Sequence, residues 1–205
     1  MMRDYPKEVK LKDGRTAVLR LLAREDYEKL HAFFDALPDE DRLFLRHDVR
    51  DPELIRKWTE NIDLKHVIPI VAEDGDRIVA DGTLQITTHG WMQHVGVVRL
   101  VTARTHRHVG LGTLTARELV ALAEERDLEK LQVHVIDDDH GSVKMFQTLG
   151  FEKAAVLKNL VKDQHGNKRN LAVMINDVVN LGRIMEDWLH DSMLPAFRVP
   201  GGGSG

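Results

Sequence analysis

The sequence predicts an α/β fold: one mixed sheet of about seven strands with helices on both faces. Two observations carry this prediction. β-rich and helical stretches alternate along the chain in the order β-α-α-β-β-β-α-β-α-β-β-α. At its centre, His94–Thr102 (HVGVVRLVT) is a β-rich run with four valines, followed by a basic turn carrying Gly110 and Gly112 and then by a long helix. On that helix Gly112, Ala116, Leu119, Val120 and Ala123 share one face, and Arg117, Glu118, Glu124 and Glu125 share the other.

Taken in order, Lys10–Arg15 reads as a turn and Thr16–Leu22 as a strand, by its β-branched content and its boundaries. A helix is expected over Arg24–Ala36, with Tyr27, Leu30, His31 and Phe34 on one side, then a short segment over Asp41–Arg46. Asp51-Pro52-Glu53 is a helix start: an Asx cap, a proline at the first helical position and an acid in the first turn. That helix turns Leu54, Ile55 and Trp58 inward and ends near Ile62. Val67–Ala72 and Arg77–Thr87 form a hairpin across Glu73–Asp76, and a second turn at His89-Gly90 leads to the His94–Thr102 strand. After the central helix come a strand over Lys130–Ile136 and a helix over His140–Leu149, capped by Asp137–Asp139 and ended by Gly150. A hairpin of Ala154–Lys162 and Arg169–Ile175 follows. A terminal helix over Asp177–His190 has Val178, Leu181, Met185 and Leu189 at helical spacing, and packs on the domain or on a second subunit.

At 205 residues the chain needs only one core, so a single domain over residues 1–200 is expected, with its core over about 16–175. Gly201–Gly205 reads as an appended flexible linker. Hydrophobic content of 42% and charged content of 30% fit a soluble globular chain, and the net charge of −4 argues against a nucleic-acid surface. Without cysteine there is no disulfide, thiolate metal site or cysteine nucleophile. Neither an apolar leader nor a membrane-length apolar window occurs, so the expectation is a cytoplasmic protein that does not engage a membrane. The eleven histidines show no metal-binding spacing, and no metal is expected.

Arg107-His108-Val109-Gly110-Leu111-Gly112 sets a cation and unpaired backbone N–H groups at a helix N-terminus, where the macrodipole favours an anion. Two glycines would let a phosphate reach the backbone without meeting a Cβ. The same residues also suit a plain strand-to-helix turn. The spacing is not that of a dinucleotide fingerprint, because Thr115 stands three after Gly112, and no Gly-Lys-Ser/Thr of a P-loop follows.

This R-x-x-G-x-G loop after the fourth strand, together with Asp139–Phe151 (DHGSVKMFQTLGF), resembles the GNAT superfamily of N-acetyltransferases. The likeness covers Thr16–Ile175, and over Val98–Phe151 it is most similar to GNAT domains of bacterial protein-lysine acetyltransferases. It implies a mostly antiparallel sheet in which the His94–Thr102 and Lys130–Ile136 strands splay apart. It also implies acetyl-CoA as co-substrate. The pyrophosphate would rest on His108, Val109, Gly110, Leu111, Gly112 and Thr113 beside Arg107, and the pantetheine arm would run along Leu100, Val101, Thr102 and Ala103. Ser142, Met145 and Phe146 would line the coenzyme side. The implied acceptor is an amine, on a small molecule or a protein lysine.

Acetyl transfer to an amine needs a base for the ammonium, donors for the carbonyl oxygen and a proton for the thiolate. With no cysteine to acylate, direct attack in a ternary complex is the simplest scheme. The family's usual tyrosine acid is matched by Phe146, and its usual glutamate base by the region Gly96–Val98, none of which transfers protons. His94, which shares strand parity with Gly96, is the substitute base; otherwise it is a solvent-facing histidine at a strand end. His134 faces either the slot or the core, Asp81 either holds a cationic amine or marks a bulge with Gly82, and Asp137–Asp139 either attract a lysine or cap a helix. Arg99 and Arg104 either reach coenzyme phosphates or are solvated. Three functions compete: an acetyl-CoA-dependent N-acetyltransferase, a non-catalytic acyl-CoA-binding module, and generic anion binding by the helix N-terminus.

Overall fold

The computed structural model describes residues 4–42, 45, 47–163 and 165–178. Its strands are β1 (Lys7–Lys10), β2 (Thr16–Leu21), β3 (Val67–Asp74), β4 (Arg77–Ile86), β5 (Val95–Thr102), β6 (Lys130–Ile136), β7 (Glu152–Lys162) and β8 (Lys168–Asp177). The helices are α1 (Tyr27–Asp35), α2 (Asp39–Arg42), α3 (Pro52–Glu60), α4 (Leu111–Glu125) and α5 (His140–Thr148). One eight-stranded sheet runs in the order β1-β2-β3-β4-β5-β6-β8-β7, with only β5 and β6 parallel among neighbours. The extra strand is β1, which pairs with β2 where a turn alone was expected. The expected terminal helix lies outside the described residues apart from its start, where Asp177 closes β8.

Strand alternation divides the core. Ile70 and Ala72 face α4 with Leu84, Val98, Leu119 and Leu131, while Val71 faces α1 and α3 with Leu30, Phe34 and Ile55. Burying a leucine such as Leu119, which is fully enclosed, contributes roughly 1.5–3 kcal/mol. The caps act as the sequence implies: Asp51 accepts from the Glu53 N–H at 3.0 Å, and Asp139 accepts from the Ser142 N–H at 3.1 Å. Glu118, placed by periodicity on the solvent face of α4, is buried instead. The segment leading into β1 covers it, with Lys7 Nζ at 2.9 Å and Tyr5 Oη at 3.1 Å.

What positions the site is the way β5 and β6 part. Their pairing runs from Val95–Lys130 to Val98–Val133 and stops. β5 continues to Thr102 against β4, and β6 continues to Ile136 against β8. Arg99–Thr102 and His134–Ile136 therefore each turn one backbone edge to a slot at the C-terminal ends of two parallel strands, where ligand crevices open in α/β sheets.

Candidate active site

The loop between β5 and α4 forms one wall of the slot. Gly110 caps α4 at φ +89°, a left-handed conformation that suits glycine. Beyond it the N–H groups of Leu111, Gly112 and Thr113 begin the helix with no intrahelical acceptor. His108 also sits at positive φ, +63°, at a cost of about 1–2 kcal/mol for a residue with a Cβ. Gly112 allows close packing as well: a Cβ there would stand 3.2 Å from Met145 Sδ and 3.5 Å from Thr102 Oγ1. His106 is a buried pin, with Nε2 2.9 Å from Asp74 Oδ2 and 2.7 Å from Arg15 Nη1.

Three cations surround this helix start. Arg107 Nη2 donates to Asp41 Oδ2 at 2.7 Å, and Arg104 pairs with Glu40 and, at 3.4 Å, with Asp41. Lys12 is the third and went unnoticed in the sequence, being 98 positions before Gly110 in a surface turn. Its N–H donates to the Val109 carbonyl at 3.0 Å, and its side chain lies over Gly110, with Cε 3.6 Å from where a Cβ would be.

Loop and slot open into one cavity of about 1460 Å³, larger than the roughly 300–1,000 Å³ that suits a single small ligand. Of the expected coenzyme residues, Leu100, Val101, Thr102, Arg107, His108, Gly110, Gly112, Thr113, Ser142, Met145 and Phe146 line it. Ala103, Val109 and Leu111 do not. The Ala103 N–H bonds to the Val79 carbonyl at 2.8 Å, the Val109 carbonyl is taken by Lys12, and the Leu111 side chain is fully buried. Ser142 Oγ is held by Asp139 at 2.6 Å, and Phe146 is largely core, edge-on to Phe151.

The opposite face of the cavity is built from β4 and β5 under the helices. Asp81, Thr83 and Gln85 alternate along β4, and their register partners Val101, Arg99 and Val97 alternate along β5. Phe34, Trp58, Ile62 and His66 close over them. Asp81–Gly82 makes no bulge, for it pairs regularly with Val71 and Ile70; the register shift falls between Ala72 and Glu73. Burial pushes the Asp81 carboxyl up to about 7. His94 does not line the cavity: it precedes β5 at the paired end, where its carbonyl accepts from the Glu129 and Lys130 N–H groups at 2.9 and 3.1 Å. His134 is exposed on the slot wall rather than in the core, because β6 is paired there on one side only. Asp137 pairs with Lys153 and Asp138 with Arg169, each at 2.5 Å, and Asp139 caps α5. Gly96 faces three leucines on the α4 side, which leaves no room for a carboxylate. Among the described residues no three His, Cys, Asp or Glu side chains converge as a metal site, and no helix is long and apolar enough to cross a membrane.

The sheet thus forks beside a cationic helix start, over one large cavity. Residues 20–151 match the model of the Acetyltransferase (GNAT) family, and the chain belongs to that family of acetyl-CoA-dependent N-acetyltransferases. The fold is shared with a ribosomal-protein-alanine N-acetyltransferase from Brucella melitensis, at 23% identity over 78% of this chain and 98% of that one, TM-score 0.68. It is shared also with the GNAT domain of S. lividans PAT, at 19% identity over 84% and 96% of the two chains, TM-score 0.68. An N-acetyltransferase from Staphylococcus aureus Mu50 matches at 17% identity over 79% and 98%, TM-score 0.68.

Proposed function

We propose that this protein transfers the acetyl group of acetyl-CoA to a primary amine, on a small molecule or a protein lysine, by direct attack within a ternary complex. The observation that carries this is the single cavity with two unlike walls. One wall presents backbone donors and cations from Lys12, Arg107, Gly112 and Thr113; the other presents the half-buried Asp81 carboxylate beside aromatic side chains. The pyrophosphate suits the first wall, where charge-assisted hydrogen bonds contribute roughly 1.5–3 kcal/mol each. The pantetheine arm suits the backbone edge of Arg99–Thr102, which β6 leaves unpaired. An amine suits the second wall, and the B. melitensis relative is likewise named for an amine acceptor, an alanine of a ribosomal protein.

The experiment is release of free CoA from acetyl-CoA across an amine panel, read by a thiol reagent to which this cysteine-free chain gives no background. Amine-dependent release above a Gly110→Glu control is the expected result. Coenzyme binding without release on any amine would leave the protein an acyl-CoA-binding module.

A further inference from the structure

We infer that Asp81 is the residue that receives the acceptor's ammonium group and takes its proton, a role that rests on the acetyl-transfer reading of this cavity. Asp81 lies in the middle of β4, opposite Val71 on β3 and Val101 on β5, at the centre of the sheet. Its side chain faces the cavity beneath α1 and α3, away from the coenzyme loop on α4. Asp81 is half-buried and no hydrogen bond or ion pair reaches it among the described residues, although a carboxylate this far desolvated is normally paired.

The other groups in reach of this cavity are committed or differently placed. His66 Nδ1 is 2.7 Å from Asp63 and its Nε2 is 3.2 Å from Thr88; His134 is exposed, with Gln132 Nε2 2.6 Å from its Nε2. Beyond Val71 on β2, Arg20 is taken up by Asp26 and Glu73. Arg99, His47 and Lys57 also line the cavity, and none of them is a carboxylate. A desolvated carboxylate of raised pKa is well matched to an alkylammonium: it attracts the cation and is basic enough to deprotonate it near neutral pH.

The step balances without a further reactant. Asp81 removes one proton from R–NH3+, directly or through one water. The freed nitrogen lone pair forms the N–C bond to the thioester carbonyl, and the C–S bond breaks. The second N–H proton goes to the departing thiolate, giving CoASH, and Asp81 returns its proton to solvent.

The test has two arms. In the first, kcat/KM for the best amine of the panel is followed against pH. The wild type is expected to rise to a plateau above about 7 and to fall near 10, where the amine loses its own proton. Asp81→Asn is expected to lose about 100-fold or more and the lower limb, while its melting curve and its affinity for CoA stay as in wild type. Unchanged kcat/KM with an unchanged profile would overturn the proposal and leave acetyl transfer standing. In the second arm, the Asp81 carboxyl carbon is titrated by NMR in the CoA complex with and without n-butylammonium chloride. The ammonium is expected to lower the titration midpoint, even if no amine in the panel is acetylated; a midpoint that the ammonium leaves in place would overturn the proposal.

Discussion

Arg107 of the loop between β5 and α4 donates to Asp41 of α2 at 2.7 Å, so a carboxylate already occupies its guanidinium. Arg104 is engaged in the same way by Glu40. If the loop holds the coenzyme phosphates as proposed, the four-residue helix α2 competes with them for the loop's cations. Asp41→Asn is expected to tighten CoA binding by about two- to fivefold, the scale of a part-exposed ion pair, and to steepen its salt dependence. Calorimetric titration at two salt concentrations checks this, and unchanged affinity would show that Arg107 does not meet the phosphates.

Gly96 marks where the family's usual base has no place in this chain. A Cβ there would stand 2.8 Å from Leu128 and Leu84 and 2.9 Å from Leu131, three neighbours at once. Gly96→Ala should destabilise the fold by about 1–3 kcal/mol through overpacking. Urea denaturation measures it, and a variant as stable as wild type would mean that the leucines can move aside.

Acid sensitivity should come from the cluster joining β2, β3 and α1. Arg20 bonds Asp26 and Glu73 at 2.6–2.7 Å, and its hydrogen bonds draw the Glu73 carboxyl down to about 2. A depressed folded-state pKa gives stability that is present above the unfolded value of about 4.3 and lost as pH falls toward 2. Roughly 2–3 kcal/mol should therefore disappear across that window. Arg20→Met should cost about 3–5 kcal/mol at pH 7, because Asp26 loses its cation and Glu73 keeps only Lys29, and should flatten the acid limb. Denaturation midpoints from pH 2 to 7 check both.

Much of the architecture was legible because local chemistry and tertiary packing agree. The Asp51 and Asp139 caps, the Gly75 hairpin and the Gly110 helix start each follow from residues a few positions apart. β1 was not, because an edge strand reading Lys-Glu-Val-Lys carries a single buried residue, Val9, and edge strands keep their charges. That omission also hid the burial of Glu118. The fork between β5 and β6 came from family resemblance, since nothing in HVGVVRLVT says where pairing stops. Asp81 and Lys12 gain their surroundings only through contacts across the fold: an aspartate in a strand run reads as a bulge until helices cover it. His94 rests on strand parity with Gly96 and on an imidazole's suitability as a base, and neither says which end of a strand meets the cavity.

Whether acetyl-CoA lies in the fork with its phosphates on the α4 start can be read from backbone amide NMR on adding acetyl-CoA. The largest shifts are expected on Gly110–Thr113 and Arg99–Thr102, with β7 and α3 little changed. Shifts spread elsewhere, or reproduced in full by inorganic phosphate, would contradict that placement.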